Sequence, residues 1–346
     1  MRWAGQAVAV GGKPVDDGAL PGLQRIGLVR SVRAPQFEGI TFHEVLCKSA
    51  LNKLPEAAAL PFRYTVNGYR GCSHACRYCF ARPTHEYLEF NCGNDFDTQV
   101  VVKTNVAEVL RRELGRRSWR RETVALGTNT DPYQRAEGRY ALMPGIIGAL
   151  AGAGTPLSIL TKGTLLRRDL PLIAQAAQQV PVSVAISLAI GDAEGHKDLH
   201  KDLEPGTPTP QARLSLITAI REAGLDCHVM VAPVLPHLTD SRDDLDRLIG
   251  QIAAAGATGV TVFGLHLRSS TRGWFMAWLA RSHPELIGKY RELYRRGAYL
   301  PPDYREMLRD RAAPLVKKHG LGGDQRSFPR AFTAPAAAEP VQPTLF

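Results

Sequence analysis

From Phe62 onward the chain alternates short β-rich runs with longer segments whose apolar residues recur at helical spacing. The runs Arg63–Tyr69, Thr123–Gly127, Leu157–Thr161, Val182–Ser187, Asp226–Ala232 and Gly259–Leu265 predict strands. Between them, Val106–Leu114, Met143–Ala151, Asp169–Gln178, Pro210–Ala223 and Asp243–Ala255 predict amphipathic helices. Several of these open with suitable chemistry. Asn105 precedes its apolar run, Thr209 is a capping hydroxyl followed by Pro210 in the first turn, and Ser241 stands ahead of Asp243 and Asp244.

Repeated βα units imply a parallel sheet. Six of them fit an α/β fold of the partial (β/α)6 TIM-like barrel type better than a doubly wound sheet, although periodicity alone does not separate the two. In such barrels the chemistry sits just beyond the carboxyl ends of the strands. The flanks read differently. Residues 1–60 are rich in Gly and Pro and read as an irregular N-terminal extension to a core barrel at 61–270. Residues 271–319 form a helical region carrying Trp274, Phe275, Trp278, Tyr290 and Tyr294, expected as core packed across the barrel's side. The stretch 320–346, rich in Pro, Ala and Gly, is expected to be a disordered tail. No run of about 18 apolar residues occurs and the start lacks a secretory pattern, so a soluble, cytoplasmic protein without a membrane segment is expected.

A chain of 346 residues, 44% hydrophobic and 22% charged, can bury a sizeable core. Its formal charge of +10 favours a polyanionic partner such as nucleic acid, or reflects an Arg-rich composition. The strip Arg111–Arg121, with Trp119 within it, suits phosphates and a stacked base. It leads into the amino end of the second strand, however, and a solvated face suits it better.

Six cysteines are too few for a disulfide scaffold, and three of them, Cys72, Cys76 and Cys79, crowd into the loop after the first strand. Three thiolates so spaced can grip three corners of an iron–sulfur cubane and leave the fourth iron open. A structural zinc site would need a fourth ligand such as His74, His85 or Cys92, and no second CxxC or HxxxH pair exists.

The CxxxCxxC loop, with Tyr78 before its last cysteine, resembles the signature of radical S-adenosylmethionine (SAM) enzymes. The resemblance implies a [4Fe–4S] cluster on Cys72, Cys76 and Cys79 that chelates SAM. It further implies a reducing electron donor and a 5′-deoxyadenosyl radical that abstracts hydrogen from the substrate. Tyr78 and the polar residues beyond the strands are then candidates for binding the cofactor. Thr128, Asn129 and Asp131 would take the methionyl amine, or else form a polar turn closed by Pro132. Lys162 would reach the SAM carboxylate as a point charge, with a solvated lysine as the alternative.

The order of Ser187, Glu204-Pro205-Gly206, Arg213 and Ala232-Pro233 resembles the spore photoproduct lyase-like branch, which adds Ser187 and Arg213 as candidates and suggests DNA repair. One departure matters. Thr128 stands where that lyase carries a hydrogen-donating cysteine, and Cys92 is the candidate to replace it, against the reading of an inert small hydrophobe. Cys227 opens the fifth strand and should face the closed end. The terminal Gln342-Pro343-Thr344-Leu345-Phe346 resembles the peptide that docks repair proteins on the DNA sliding clamp, with proline departing from the usual leucine. Modification of RNA, a peptide or a small metabolite is the second enzymatic reading, and a nucleic-acid-binding protein with a structural metal is the third.

Overall fold

The computed structural model describes residues 13–14, 21–55, 60–192 and 196–322. The clamp-like peptide Gln342–Phe346 lies outside the described residues. Twelve strands form among the described residues: β1 (Lys13–Pro14), β2 (Leu28–Arg33), β3 (Thr41–Val45), β4 (Leu51–Lys53), β5 (Tyr64–Val66), β6 (Tyr69–Arg70), β7 (Gln99–Lys103), β8 (Val124–Leu126), β9 (Leu157–Thr161), β10 (Val182–Ser187), β11 (Cys227–Val234) and β12 (Gly259–Gly264). Seven of them make one sheet in the order β12-β11-β10-β9-β8-β5-β4. From β5 to β12 every pairing is parallel, and β4 adds antiparallel to the outer edge.

The expected six βα units are therefore present, in a barrel that stays open because β12 and β4 stand at opposite edges. Leu157, Ile159, Val184, Ile186, Val229 and Val231 are buried on it against helices that carry Ile147, Leu150, Ile173, Ile220 and Ile252. Strands buried on both faces read as near-continuous apolar runs, which is why these five or six residues stood out in the sequence. Cys227 opens β11 fully buried at the closed end, as expected.

Two expectations need correction. The run Arg63–Tyr69 is not one strand. β5 stays in the barrel, the chain turns at Asn67-Gly68, and β6 pairs antiparallel with β7 through Tyr69↔Val102 and Arg70↔Val101. Residues 1–60 are also not irregular throughout. β2 and β3 join β7 and β6 in a second sheet of order β1-β2-β3-β7-β6, with β3 parallel to β7. β3 takes its parallel partner β7 from more than fifty residues along the chain, and local pattern alone did not reveal that pairing.

The helix Val106–Leu114 clasps this N-terminal segment at both its ends. Asn105 does not cap the helix with its side chain. Its amide instead accepts from the Cys47 N–H at 2.8 Å and donates to the Cys47 carbonyl at 3.1 Å. Glu113, near the other end, accepts from the backbone N–H groups of Ala50 and Leu51 at 3.0 and 2.9 Å. Thr209 and Ser241 do cap their helices, accepting from the N–H groups of Ala212 and Asp244.

The C-terminal helices Ser269–Ser282 and Ile287–Leu293 lie over the loops at the carboxyl ends of the strands rather than across the barrel's side. Phe275, Trp278, Tyr290 and Tyr294 are buried in one cluster with Cys76, Tyr78, Leu235 and Leu265, so these four are core as expected, whereas Trp274 is half-buried outside that cluster with the Arg77 and Arg82 guanidinium groups over its ring. Their polar tips are also satisfied: Tyr290 and Tyr294 donate to the carbonyls of Pro236 and Leu265, and Trp278 donates to Asp202. Pro302–Lys318 packs instead along β12 and the helix Arg242–Ala254. Trp119, offered as a stacking platform, is held edge-on to Tyr64 and donates to Thr155 at 2.8 Å at the barrel's amino end. No helix among the described residues is long and apolar enough to cross a membrane.

Glu113→Ala should strand two backbone donors and cost about 1–3 kcal/mol of stability, measured by urea unfolding. Burial raises the Glu113 pKa, but the N–H groups of Leu51 and Ala50 and the Ser49 hydroxyl outweigh it and hold the carboxyl below its ordinary 4.5. A depressed folded pKa means that this contribution is present above pH 4.5 and fades as the pH falls through the folded value. The stability difference between wild type and Glu113→Ala should therefore shrink on acidification below that point.

Candidate active site

The cysteine loop leaves β5 through Asn67-Gly68, and the loops beside it fix its backbone. Gly71 adopts φ +82°, and its carbonyl accepts from the Thr130 hydroxyl at 2.7 Å and the Gln134 amide at 3.0 Å. The Gln134 oxygen in turn accepts from the Ser73 N–H at 2.9 Å. On the other side Arg77 N–H donates to the Leu203 carbonyl, and Gly206 N–H to the His74 carbonyl. A Cβ at Gly206 would stand 1.9 Å from the Ser73 carbonyl oxygen, so only glycine permits this approach. Arg82, fully buried, donates to the Cys76 carbonyl at 3.0 Å and the Gly93 carbonyl at 2.8 Å, and pairs with Asp97 at 2.8 Å. These bonds engage backbone atoms, which leaves the thiols to face inward.

Cys72, Cys76 and Cys79 line a cavity of about 1200 Å³ at the carboxyl ends of the parallel strands. Tyr78 lines it too, with Thr128, Asn129 and Asp131 from beyond β8, Lys162 from beyond β9 and Ser187 from the end of β10. These candidates come from four separate segments, the cysteine loop and the ends of β8, β9 and β10, and the fold brings them to one place. Arg213 and Cys92 are not among the lining residues.

Glu204 organises the floor of this site. Its fully buried carboxylate accepts from the Tyr78 hydroxyl, pairs with Arg213 at 2.6 Å and lies 3.1 Å from the Lys162 ammonium. Burial alone would raise its pKa, but Arg213, Lys162, Tyr78 and His200 together hold it well below the usual carboxylate range. Burial and the Glu204 charge push the Tyr78 phenol well above its ordinary value, so Tyr78 is a hydrogen-bond donor here. Lys162 also donates to the Ser187 hydroxyl at 2.7 Å and sits 5.6 Å from the centre of the Tyr78 ring.

Three expectations change at this level of detail. Arg213, expected at the cofactor, is spent on Glu204 and on the Ser187 carbonyl at 3.0 Å, and so braces the site from behind. Asp131, expected to take an ammonium, already accepts from Thr161, from the N–H groups of Lys162 and Tyr133, and lies 3.3 Å from the His74 ring. Burial raises its pKa, but His74 and these donors reverse the sign and keep it ionised. Cys92, offered as a hydrogen donor, sits in the loop whose carbonyls Arg82 gathers, on the far side of that guanidinium from Cys76. Sequence reasoning missed Glu204, Gln134 and Arg82 as site-builders. Only the Glu-Pro-Gly turn hinted at the first of them.

A family model described as the Radical SAM superfamily matches residues 66–249, more than half of the chain. The chain belongs to that superfamily. A protein of Mycobacterium tuberculosis is 82% identical over 346 residues, covering all of both chains. One from Methanocaldococcus jannaschii is 27% identical over 245 residues, covering 70% of this chain and 83% of its own. Among solved structures, spore photoproduct lyase complexed with dinucleoside spore photoproduct superposes with a TM-score of 0.60 at 14% identity, over 80% of this chain and 79% of the lyase. A variant of that lyase with bound AdoMet and the same dinucleoside gives the same TM-score, identity and coverage. At that identity the likeness is one of fold, and it matches the open barrel described above.

For this radical SAM protein the Glu204 carboxylate is the element most exposed to test. Glu204→Ala leaves the Arg213 guanidinium buried and unpaired, and should lower the unfolding free energy by about 3–5 kcal/mol in urea titrations. Glu204→Gln keeps the volume but not the charge and should fall between the two. A loss below about 0.5 kcal/mol, the size of a neutral surface change, would mean that Arg213 finds other acceptors.

Proposed function

We propose that Cys72, Cys76 and Cys79 hold a [4Fe–4S] cluster, that SAM occupies the polar side of the cavity, and that the enzyme acts on nucleic acid in a DNA-repair-like reaction. The observation that carries this reading is the convergence of three thiols with Lys162, Ser187, Thr128 and Asn129 on one cavity. The donor set fits the cluster. Cys47, Cys92 and Cys227 are not among the lining residues, so three thiols and no fourth cysteine face the cavity. Burial pushes the Cys79 thiol to about 11 and Cys76 well above its ordinary value, so both stay protonated until a metal charge replaces the proton.

When bound, the cluster and SAM would supply one-electron cleavage of the sulfonium and a 5′-deoxyadenosyl radical that abstracts hydrogen. The chain's own residues position and shield. Lys162 presents its ammonium to the SAM carboxylate, with the Ser187 hydroxyl beside it. The side-chain oxygens of Thr128 and Asn129 are acceptors for the SAM amine, and Asp131 adds its negative field from the same wall of the cavity. Phe62, Leu265 and Ala232 line the apolar side, where they exclude water from a reactive intermediate.

The charge of +10 supports a polyanionic substrate, and so does the lyase of like fold, whose structure holds a dinucleoside photoproduct. Thr128 takes the place expected for a hydrogen-donating cysteine and accepts from Asn67 at 3.4 Å. The proposed reaction therefore does not return hydrogen from a thiol at that position.

Anaerobically reconstituted wild type should convert SAM to 5′-deoxyadenosine when reduced. Alanine at Cys72, Cys76 or Cys79 should abolish both iron retention and that product. Zinc in oxygen-free preparations, with SAM left intact, would overturn the assignment. Lys162→Met should raise the KM for SAM by roughly 10- to 100-fold with a smaller change in kcat, as expected for a lost charge-assisted hydrogen bond.

A further inference from the structure

Large apolar side chains left exposed are few among the described residues: Val29, Leu46, Leu60, Phe80, Tyr87, Phe263 and Tyr299. Leu60, Phe80 and Phe263 line the cavity, and Tyr299 stands just outside it. His266, also a lining residue, joins the inner and outer rings. Its imidazole lies 6.3 Å from the Phe80 ring centre, tilted by 39°, and 5.7 Å from that of Tyr299, tilted by 34°. The exposed guanidinium of Arg268 covers the Tyr299 ring at 5.1 Å and makes no ion pair among the described residues. A row of rings thus runs outward from the cavity and ends beneath a cation. The cavity itself, at about 1200 Å³, exceeds the roughly 300–1000 Å³ usual for one small ligand.

The segment that carries Phe263, His266 and Arg268 holds charge of one sign. From Arg247 to Pro284 the chain contains no aspartate or glutamate, and this stretch supplies β12, the His266 loop and the helix behind it. Exposed rings in series with unpaired arginine suit a single-stranded nucleic acid, because each base offers a π-face and each linkage a phosphate. A lipid or apolar peptide would find no reason for the arginine, and a duplex would keep its bases away from the rings.

Resting on the nucleic-acid reading above, we infer that Phe80, His266 and Tyr299 form a stacking ledge for unpaired bases of single-stranded DNA at the cavity mouth, with Arg268 holding the adjoining phosphate. The ledge determines which nucleotide reaches the cavity; the cluster loop determines what happens there. Tyr299 lies outside the cavity lining, which places it with the substrate strand rather than with the cofactor's adenine.

The test is fluorescence anisotropy of a short labelled oligothymidylate on the anaerobically reconstituted holoprotein, run beside equilibrium SAM binding. Tyr299→Ala should weaken oligothymidylate binding by roughly 5- to 150-fold, and Tyr299→Phe should restore most of it. Arg268→Gln should lower the slope of log affinity against log salt by about 1. The Arg117→Ala, Arg120→Ala double variant, at the barrel's far end, should bind like wild type. The inference fails if Tyr299→Ala binds the oligonucleotide normally, if it weakens SAM instead, or if duplex or an RNA of the same length binds more tightly than the single DNA strand. Each such result is separate from the radical SAM reading, which stands or falls on 5′-deoxyadenosine formed by the wild type.

Discussion

The arrangement of the site depends on a carboxylate removed from water. Glu204 has no solvent to share its charge, so its oxygens are satisfied by Tyr78 from the cysteine loop, Lys162 from beyond β9 and Arg213 from the following helix. A buried ion of one sign is costly unless its partners are close and well oriented, and here that requirement fixes three otherwise independent segments relative to one another. The same turn that delivers Glu204 brings Gly206 against the backbone of Ser73. One Glu-Pro-Gly turn therefore sets both the electrostatics of the floor and the path of the metal-binding loop.

Around that centre, functional side chains and supporting side chains divide cleanly. Gln134, Thr130 and Arg82 hold the cysteine loop through its carbonyls and amides and the Ser73 hydroxyl, so the sulfurs are positioned without being consumed. Arg213 sits one layer further out, orienting Glu204 and Ser187, while Asp131 at the cavity wall orients His74 and the Lys162 backbone. What faces the cavity is a small set: three thiols, an ammonium, the Asp131 carboxylate with the His74 imidazole beside it, several hydroxyl and amide oxygens, and an aromatic mouth.

The barrel was legible in the sequence because strands buried on both faces and amphipathic helices leave strong local periodicity. The helix Val106–Leu114 and the strands Leu157–Thr161 and Val182–Ser187 were readable to the residue for that reason. The cysteine loop was legible because thiolate spacing is constrained by the geometry of what it grips. The second sheet was not, since Thr41–Val45, the inner strand of the hairpin it forms with Leu28–Arg33, pairs in parallel with Gln99–Lys103, more than fifty residues away. The roles expected of Arg213 and Asp131 depend on their neighbours. Sequence places a polar group near a strand end but does not say which partners reach it first: three donors bond Asp131, and Arg213 bonds Glu204 and Ser187 through its terminal nitrogens while its buried Nε keeps no partner among the described residues.

The hand-off at Asn67-Gly68 has a mechanical consequence. Because the chain passes from one sheet to the other immediately before Cys72, the thiol loop is tethered both to the barrel, by Thr130 and Gln134, and to the small sheet, by β6, and the two sheets share one apolar core through Phe42, Val100 and Val102. A displacement of either sheet therefore reaches the thiols through only a few residues of backbone, so the loop's path is set by both sheets together.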